Sequence, residues 1–197
     1  MTRCPFALLS ALCLTLALSA AGQAQASASN KGSASAADPA LAALYAQLSD
    51  PSASQGQVRD AEAAIERRWR EAPETGIAVL FDRAVLAMNA EEPALAAVLS
   101  GHVTALAPSW AEGWVLLGHA RSALGEMPAA SRAYAEAVAR APRHYRAIAR
   151  LGDLALEAGD EAAALSRYRE ALRLNPHLSE VRARADRLAD AAAPREI

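Results

Sequence analysis

Cysteine is nearly absent from this chain: among its 197 residues only Cys4 and Cys13 are cysteines. From residue 14 onward the sequence therefore has no thiol nucleophile, no disulfide and no cysteine ligand for a metal ion. Aromatic residues make up only 5% of the chain, and a single lysine stands against 19 arginines. The net charge is −2 and no basic block is present, which argues against nucleic acid as a partner.

Patterns that carry chemistry are also missing. The four histidines, His102, His119, His144 and His177, include no pair at the i, i+4 spacing of a helical metal site. There is no glycine-rich phosphate loop, no dinucleotide-binding pattern and no serine nucleophile motif. Acidic pairs such as Glu91-Glu92 fall at predicted helix starts, where carboxylates stabilise the helix dipole. We expect a protein that is not an enzyme and has no cofactor and no metal.

The N-terminus has the pattern of an export signal. Arg3 precedes an apolar run from Phe6 to Leu18, and Ala24-Gln25-Ala26 supplies the small residues that a signal peptidase requires. We predict a signal peptide at residues 1–26, a disordered Ser/Ala-rich linker at 27–37, and a periplasmic protein without a stable membrane span. The alternative is an uncleaved anchor, although the apolar run is shorter than the roughly 20 residues that span a bilayer.

Four prolines give the rest of the chain a period. Pro73, Pro108, Pro142 and Pro176 stand 35, 34 and 34 residues apart. Aligned on them, the run Trp114-x-x-Leu117-Gly118 lies over Ile148-x-x-Leu151-Gly152, and Ala130, Tyr134 and Ala137 lie over Ala164, Tyr168 and Ala171. This pattern resembles the tetratricopeptide repeat, a helix–turn–helix unit of 34 residues.

The resemblance implies an all-α, right-handed α-solenoid of about nine helices. The predicted repeats fill residues 77–176 as a degenerate unit (77–110) and two clear units (111–144 and 145–178), followed by a capping helix and tail at 177–197. In the degenerate unit Glu91 replaces the turn glycine and Ser100 replaces the aromatic residue. Residues 38–73 are predicted to form a degenerate helical pair, interpreted as a remnant repeat. The predicted helices cover 39–49, 56–71, 77–89, 93–106, 110–124, 128–140, 143–158, 161–174 and 177–190.

Two glycines stand in the middle of predicted helices. A mid-helix glycine costs about 1 kcal/mol against alanine, so Gly118 and Gly152 indicate places where paired helices approach closely. We expect Gly118→Leu to destabilise the fold by a few kcal/mol through overpacking.

The resemblance also implies a binding surface, because the first helix of each repeat lines a concave groove that binds polypeptides. Carried over by position, the groove residues are Phe81, Val85, Met88, Asn89, Glu112, Val115, His119, Arg146, Asp153 and Leu156. The apolar end would anchor a partner and the charged end would orient it. Alternatively, Phe81 and Met88 pack within the fold. The carboxylate clamp of chaperone-binding relatives is absent, because Val85, His119 and Asp153 occupy its asparagine positions.

Two functions follow as hypotheses. The first is an exported scaffold or assembly factor that binds a protein or peptide in its groove. The second is a non-catalytic regulatory or docking subunit of an envelope enzyme, or of a cytochrome c or pilus assembly complex, which would use its convex face. Three runs further resemble small exported repeat proteins of alphaproteobacteria: Ala107 to Trp114, Pro142-Arg143-His144-Tyr145 and Arg195-Glu196-Ile197. The sequence does not fix the partner or the oligomeric state.

Overall fold

The computed structural model describes residues 38–50 and 52–192, so the predicted signal peptide, the linker and residues 193–197 lie outside it. Within these ranges the chain forms nine α-helices and no strand. The helices are α1 (Pro39–Leu48), α2 (Gln55–Arg70), α3 (Thr75–Asn89), α4 (Pro93–Leu106), α5 (Ala111–Ala123), α6 (Met127–Arg140), α7 (Tyr145–Glu157), α8 (Glu161–Leu174) and α9 (Ser179–Ala192). All nine predicted helices are confirmed, with boundaries that differ by no more than two residues. No helix in these described ranges is both long and apolar enough to cross a membrane.

Helix starts follow local side-chain chemistry. Asp38 caps α1, since its Oδ1 accepts hydrogen bonds from the backbone N–H of Ala40 and Leu41 at 3.0 and 3.3 Å. Proline stands in the first turn of α1, α4 and α6, where its missing N–H has no helical acceptor to lose. Pro142 and Pro176 lie in the turns between helices, because α7 begins at Tyr145 and α9 at Ser179.

Consecutive helices pair as α3–α4, α5–α6 and α7–α8, and α9 packs on α8. The expected close approach at the mid-helix glycines is confirmed. A Cβ added at Gly118 would lie 2.7 Å from the Tyr134 ring, and one added at Gly152 would lie 2.6 Å from the Tyr168 ring. In the degenerate first pair the equivalent residues are Ala84 and Ser100, both fully buried.

The turns inside the pairs share one backbone conformation. Gly125 and Gly159 have φ of 75° and 80°, and Glu91 adopts φ 59° at the equivalent place in the degenerate repeat. In each turn the following N–H bonds back to a carbonyl five residues earlier, as Glu126 does to Arg121 at 2.9 Å. The left-handed residue therefore ends the first helix of every repeat, even where it is not glycine.

Helices α1 and α2 form a hairpin tied together by its own bonds. Arg68 pairs with Asp38 at 2.7 Å, and the Gln47 amide donates to the Gln57 carbonyl at 3.3 Å. The apolar side chains of this hairpin, from Leu41 to Trp69, belong to the same buried cluster as residues of α7, α8 and α9. The hairpin therefore packs with the later repeats, and none of its residues belongs to the core of α3 and α4.

Candidate functional site

The turns that join one repeat to the next form a row, which we call the turn edge: Trp110, His144, Tyr145, Arg146 and Asn175. Helix α2 lies along this row. Near its C-terminal end the Trp69 ring stacks on the His144 ring, with centroids 3.8 Å apart and planes inclined by 14°. The Trp110 indole N–H donates to the Trp69 carbonyl at 2.8 Å. Trp69 of α2 is thus held by residues of two successive turns, its ring by His144 and its backbone carbonyl by Trp110.

Two carboxylates continue the contact toward the N-terminal end of α2. Glu66 forms an ion pair with Arg146 in the first turn of α7. One turn earlier on α2, Glu62 accepts a hydrogen bond of 2.7 Å from the side-chain amide of Asn175, which is fully buried. Helix α2 therefore crosses the starts of α5 and α7 and reaches the turn before α9.

Helix α1 covers the outer side of the same row. The Tyr45 hydroxyl donates to the Arg143 carbonyl at 2.8 Å, and the Arg143 guanidinium lies 3.9 Å above the Tyr45 ring. Burial raises the pKa of Tyr45 to about 12. This phenol therefore remains a neutral hydrogen-bond donor at physiological pH.

His144 occupies the centre of the turn edge and caps α7. Its Nδ1 accepts a hydrogen bond from the Ala147 N–H at 3.1 Å, and its Nε2 lies 3.1 Å from Glu112 Oε2. Because Nδ1 accepts, the hydrogen-bond network assigns the proton of the neutral ring to Nε2, which donates to Glu112. The imidazole is thereby fixed in the plane on which Trp69 stacks.

Beside His144, the hydroxyl of Tyr145 is buried and has no hydrogen-bond partner among the described residues. The ring packs on Trp69 at 4.9 Å, and burial raises the pKa of Tyr145 above its usual range. The nearby charges that influence it include Glu62 and Glu66 of α2. The Tyr145 ring thus packs against the Trp69 ring of α2.

The predicted apolar anchor is not an exposed surface. Phe81 is buried and packs on Trp110 with ring centroids 4.8 Å apart, and Val115 is buried as well. Val85 and Met88 are half-buried against the α3–α4 core. The expectation that Phe81 anchors a partner is therefore wrong, and the alternative of packing within the fold applies. Asn89 is exposed.

The charged end of the predicted groove is engaged in internal contacts. Asp153 accepts hydrogen bonds from the Tyr168 hydroxyl at 2.8 Å, from Arg184 at 3.0 Å and from Arg150 at 3.2 Å. Arg146 pairs with Glu66 of α2. Both residues stand on α7, where Arg146 contacts α2 and Asp153 ties α7 to α8 and α9.

Part of the groove floor remains open. His119 and Leu156 are half-buried, and the last residues of the first helices, Asn89, Ala123 and Glu157, are exposed. Burial, reinforced by the charge of Arg150, lowers the pKa of His119 to about 4. We call these five residues the open floor. Among the described residues, no three His, Cys, Asp or Glu side chains lie close enough together to hold a metal ion.

Sequence reasoning identified the apolar face of α2 but missed where it docks. The available signal was the 34-residue spacing of Trp110 and His144, which places large rings at equivalent turns. The partner of these rings, Trp69, stands at a helix end and gives no sign of the repeat that receives it.

Comparison with known proteins agrees with this architecture. The tetratricopeptide repeat family matches residues 145–178, which hold α7 and α8. No curated protein matches the chain significantly. The fold is similar to that of the Yersinia enterocolitica type III secretion chaperone SycD in complex with a peptide of the translocator YopD, at 16% identity over 61% of this chain and 97% of SycD, with a TM-score of 0.59.

Two further structures have similar folds. MamA is 20% identical over 70% of this chain and 80% of its own, with a TM-score of 0.56. The first repeat domain of Spaghetti (RPAP3), bound to an HSP90 peptide, is 18% identical over 60% of this chain and 94% of its own, with a TM-score of 0.57. The described residues therefore form an all-α solenoid of helical hairpins. Residues 145–178 thus match a tetratricopeptide repeat, and the fold of the described residues is similar to that of such repeat proteins.

Proposed function

We propose that this protein is an exported, non-catalytic interaction module that binds a polypeptide partner along the concave side of its repeats. One observation carries the proposal: Asn89, Ala123 and Glu157 at the ends of the first helices are exposed, and His119 and Leu156 of the same helices are only half-buried, so the side chains of the fold do not fill this side of the repeats. An exposed row of polar and apolar groups along successive first helices can bind a polypeptide. The SycD and Spaghetti structures, which hold bound peptides, are in keeping with this role.

Site-specific photocrosslinking in cells tests the proposal. A photoreactive amino acid is placed at the exposed positions Asn89, Ala123 and Glu157 of the open floor. Matched controls place it at Ala135 of α6 and Arg169 of α8, which are exposed on second helices of the repeats. We expect one partner band from the floor positions and none from the controls. Equal labelling from both sets, or none from the floor, would refute groove binding.

Export is a separate part of the proposal and rests on the apolar run and the Ala24-Gln25-Ala26 sequence. We expect mass spectrometry of the fractionated protein to find a periplasmic form that begins at Ser27. Recovery of intact Met1 on protein from the cytoplasm would contradict it.

A second candidate function, docking through another face, is supported by the exposed apolar side chains of α3 and α4. Val79 and Leu86 of α3 and Leu95, Val98 and Leu106 of α4 are between 46% and 66% exposed. The three α4 residues recur at helical spacing on one side of the helix. Because single exposed apolar residues are common but clusters mark contact sites, this face is the one a docking subunit would use. This function would be favoured if a photocrosslinker at Val98 captures the partner while photocrosslinkers at the open-floor positions capture none.

A further inference from the structure

We propose that one face of α3 is the interface through which two copies of this chain associate about a two-fold axis, with the two α3 helices antiparallel. The face consists of Val79, Asp82, Arg83 and Leu86, and we call it the α3 stripe. The inference goes beyond the proposed function, because it concerns a surface outside the groove and a partner that is a second copy of the chain.

The residues of the α3 stripe lie on one side of the helix, since positions three, four and seven residues apart share a helix face. All four are exposed, Val79 by 50% and Leu86 by 65%. Neither Asp82 nor Arg83 forms an ion pair with another described residue. Two apolar side chains and two opposite charges therefore point away from the described fold.

Later repeats bury the same face of their first helix. The residue of α5 aligned with Val79 is Gly113, and a Cβ added there would lie 2.8 Å from the Val103 side chain of α4. The residue aligned with Leu86 is Ala120, which is buried in one cluster with residues of α3 and α4. The aligned residues of α7, which are buried in one cluster with residues of α6, are Ala147 and Leu154. In α5 and α7 this face is thus the contact with the preceding repeat.

Among the described residues, no repeat covers this face of α3. The hairpin of α1 and α2 belongs to the core of the later repeats, and none of its residues joins the core of α3 and α4. Where α5 has a glycine and an alanine, α3 presents the larger Val79 and Leu86. Apolar side chains exposed on a face that the other repeats bury indicate a contact site.

The order of residues along the α3 stripe fits a second copy of itself. When two α3 helices lie antiparallel, with the two-fold axis between positions 82 and 83, Val79 meets Leu86 of the second copy and Asp82 meets Arg83. Each of these pairs forms twice, because the same surface is used on both sides of a two-fold axis. A parallel arrangement would instead bring Asp82 against Asp82 and Arg83 against Arg83. Charge complementarity therefore favours the antiparallel dimer.

The other end of the repeat array offers no matching apolar surface. It is closed by α9, whose exposed residues include four charged ones, Arg182, Asp186, Arg187 and Asp190. A polar outer face keeps a terminal helix of such an array in solution. Stacking of the α3 stripe on α9 of a next copy is therefore disfavoured, and association stops at the dimer.

Charge reversal in the full chain tests this interface, with analytical ultracentrifugation as the measurement. Asp82→Arg places two arginines on the stripe and Arg83→Asp places two aspartates there, so each variant meets like charges on its own second copy. We expect each reversal to raise the dimer dissociation constant at least about tenfold. Arg169→Asp, at an exposed position of α8, changes the net charge by as much as Arg83→Asp and should leave the constant unchanged.

Restoring the complementarity should restore the dimer. An equimolar mixture of the Asp82→Arg and Arg83→Asp proteins pairs two arginines with two aspartates. The double swap Asp82→Arg/Arg83→Asp pairs each arginine with an aspartate of its own second copy. We expect both to bring the dissociation constant to within about threefold of the wild-type value, because opposite charges face each other again.

Cysteine crosslinking tests the direction of the helices, with Cys4 and Cys13 replaced by serine. A Val79→Cys protein is mixed with a Leu86→Cys protein and oxidised. We expect a disulfide between the two proteins, whose cysteines face each other in the antiparallel dimer. Each protein alone should stay uncrosslinked, because its two cysteines would stand about 10 Å apart along the helix axis, beyond the roughly 7 Å between Cα atoms that a disulfide spans.

Three results would overturn the inference. The first is a chain that stays monomeric up to about 1 mM, which leaves the α3 stripe to residues 1–37 or to another protein. The second is association that neither charge reversal weakens, such as association through residues 1–26, which all variants share. The third is a disulfide in either single-cysteine protein alone. The open floor and Val98 of α4 lie outside the stripe, so none of these results decides the functions proposed above.

Discussion

Gly118 and Tyr134 fit together because the space that a β-carbon would need is filled by an aromatic ring. The same match recurs at Gly152 and Tyr168. In the degenerate repeat both residues change together, to Ala84 and Ser100. There the small serine leaves room for a methyl group, and its hydroxyl donates to the Ala96 carbonyl at 2.6 Å. A large side chain on the second helix of a repeat thus goes with glycine on the first helix, and a small one goes with alanine.

The mid-helix glycine gives the first prediction. Gly118→Ala would place a methyl carbon 2.7 Å from the Tyr134 ring, and overpacking of this kind costs about 1–3 kcal/mol. Gly101 of α4 is the matched control, because nothing lies within 4 Å of an added Cβ. Gly101→Ala should raise the free energy of unfolding by up to about 1 kcal/mol. Urea denaturation compares the two, and a stabilised Gly118→Ala variant would contradict the packing described above.

His119 gives a prediction about pH. Burial and the Arg150 charge, with smaller contributions from His144 and Arg146 and opposition from Glu112, lower its pKa from 6.5 to about 4. The unfolded chain therefore binds this proton at higher pH than the folded one. The free energy of unfolding should fall as pH is lowered from about 6.5 to about 4.

Denaturant unfolding of the wild type and His119→Gln across pH 7.5 to 4 measures this effect. We expect the difference between them to be constant at neutral pH and to shift against the wild type below about pH 6.5, because glutamine does not titrate. Carboxylates titrate in both proteins and cancel in the difference. A difference that does not change with pH would mean that His119 is not held neutral.

At the scale of the helix, the first helix of each repeat ends on a left-handed residue. Two of these residues are glycine, while Glu91 carries a side chain at φ 59°. A left-handed conformation costs a residue with a β-carbon roughly 1–2 kcal/mol. The degenerate repeat therefore keeps the geometry of its neighbours at the expense of local strain.

Restoring the glycine should relieve this strain. Glu91→Gly is expected to stabilise the protein by about 1 kcal/mol, and Gly125→Ala should destabilise it by a similar amount. Glu91 is exposed, so the loss of its carboxylate removes little else. Melting temperatures of the two variants should move in opposite directions. A lower melting temperature for Glu91→Gly would show that its side chain has a role beyond the turn.

The helices themselves were predictable from the sequence, because their signals are local. Caps such as Asp38, early prolines such as Pro93 and the 34-residue period fix where each helix begins and ends. The turn prolines were less informative, since Pro142 lies three residues before α7 begins at Tyr145. The candidate groove was predictable by position but not by exposure. Burial of Phe81 depends on Trp110, which lies 29 residues later in the sequence.

At the scale of the whole molecule, the position of α1 and α2 was not predictable. The apolar stripe on each of these helices indicates that one face is buried. It does not indicate which repeat that face packs against. The contacts that decide this are separated by 113 residues for Glu62 and Asn175 and by 98 for Tyr45 and Arg143. No periodicity connects such pairs, and each is a specific match between two side chains.

Hairpin docking should make unfolding more cooperative. In a simple repeat array each unit contacts only its neighbours, so one end can unfold before the other. Here Trp69 joins the turns at Trp110 and His144, so that separate unfolding of the repeats is opposed. We expect Trp69→Ala to broaden the urea transition and to speed amide exchange in α7 and α8. Arg169→Ala, on an exposed face, is the control and should leave both unchanged.

The 113-residue separation between Glu62 and Asn175 also bears on how the chain is made. The turn at Asn175, which completes the docking site of the hairpin, is synthesised 113 residues after Glu62. During synthesis Ile65 and Trp69 therefore lack their final cover, and the contacts that bury them have to be closed over a long loop, which slows folding. The growing chain thus carries an exposed apolar helix until the turn at Asn175 has been made.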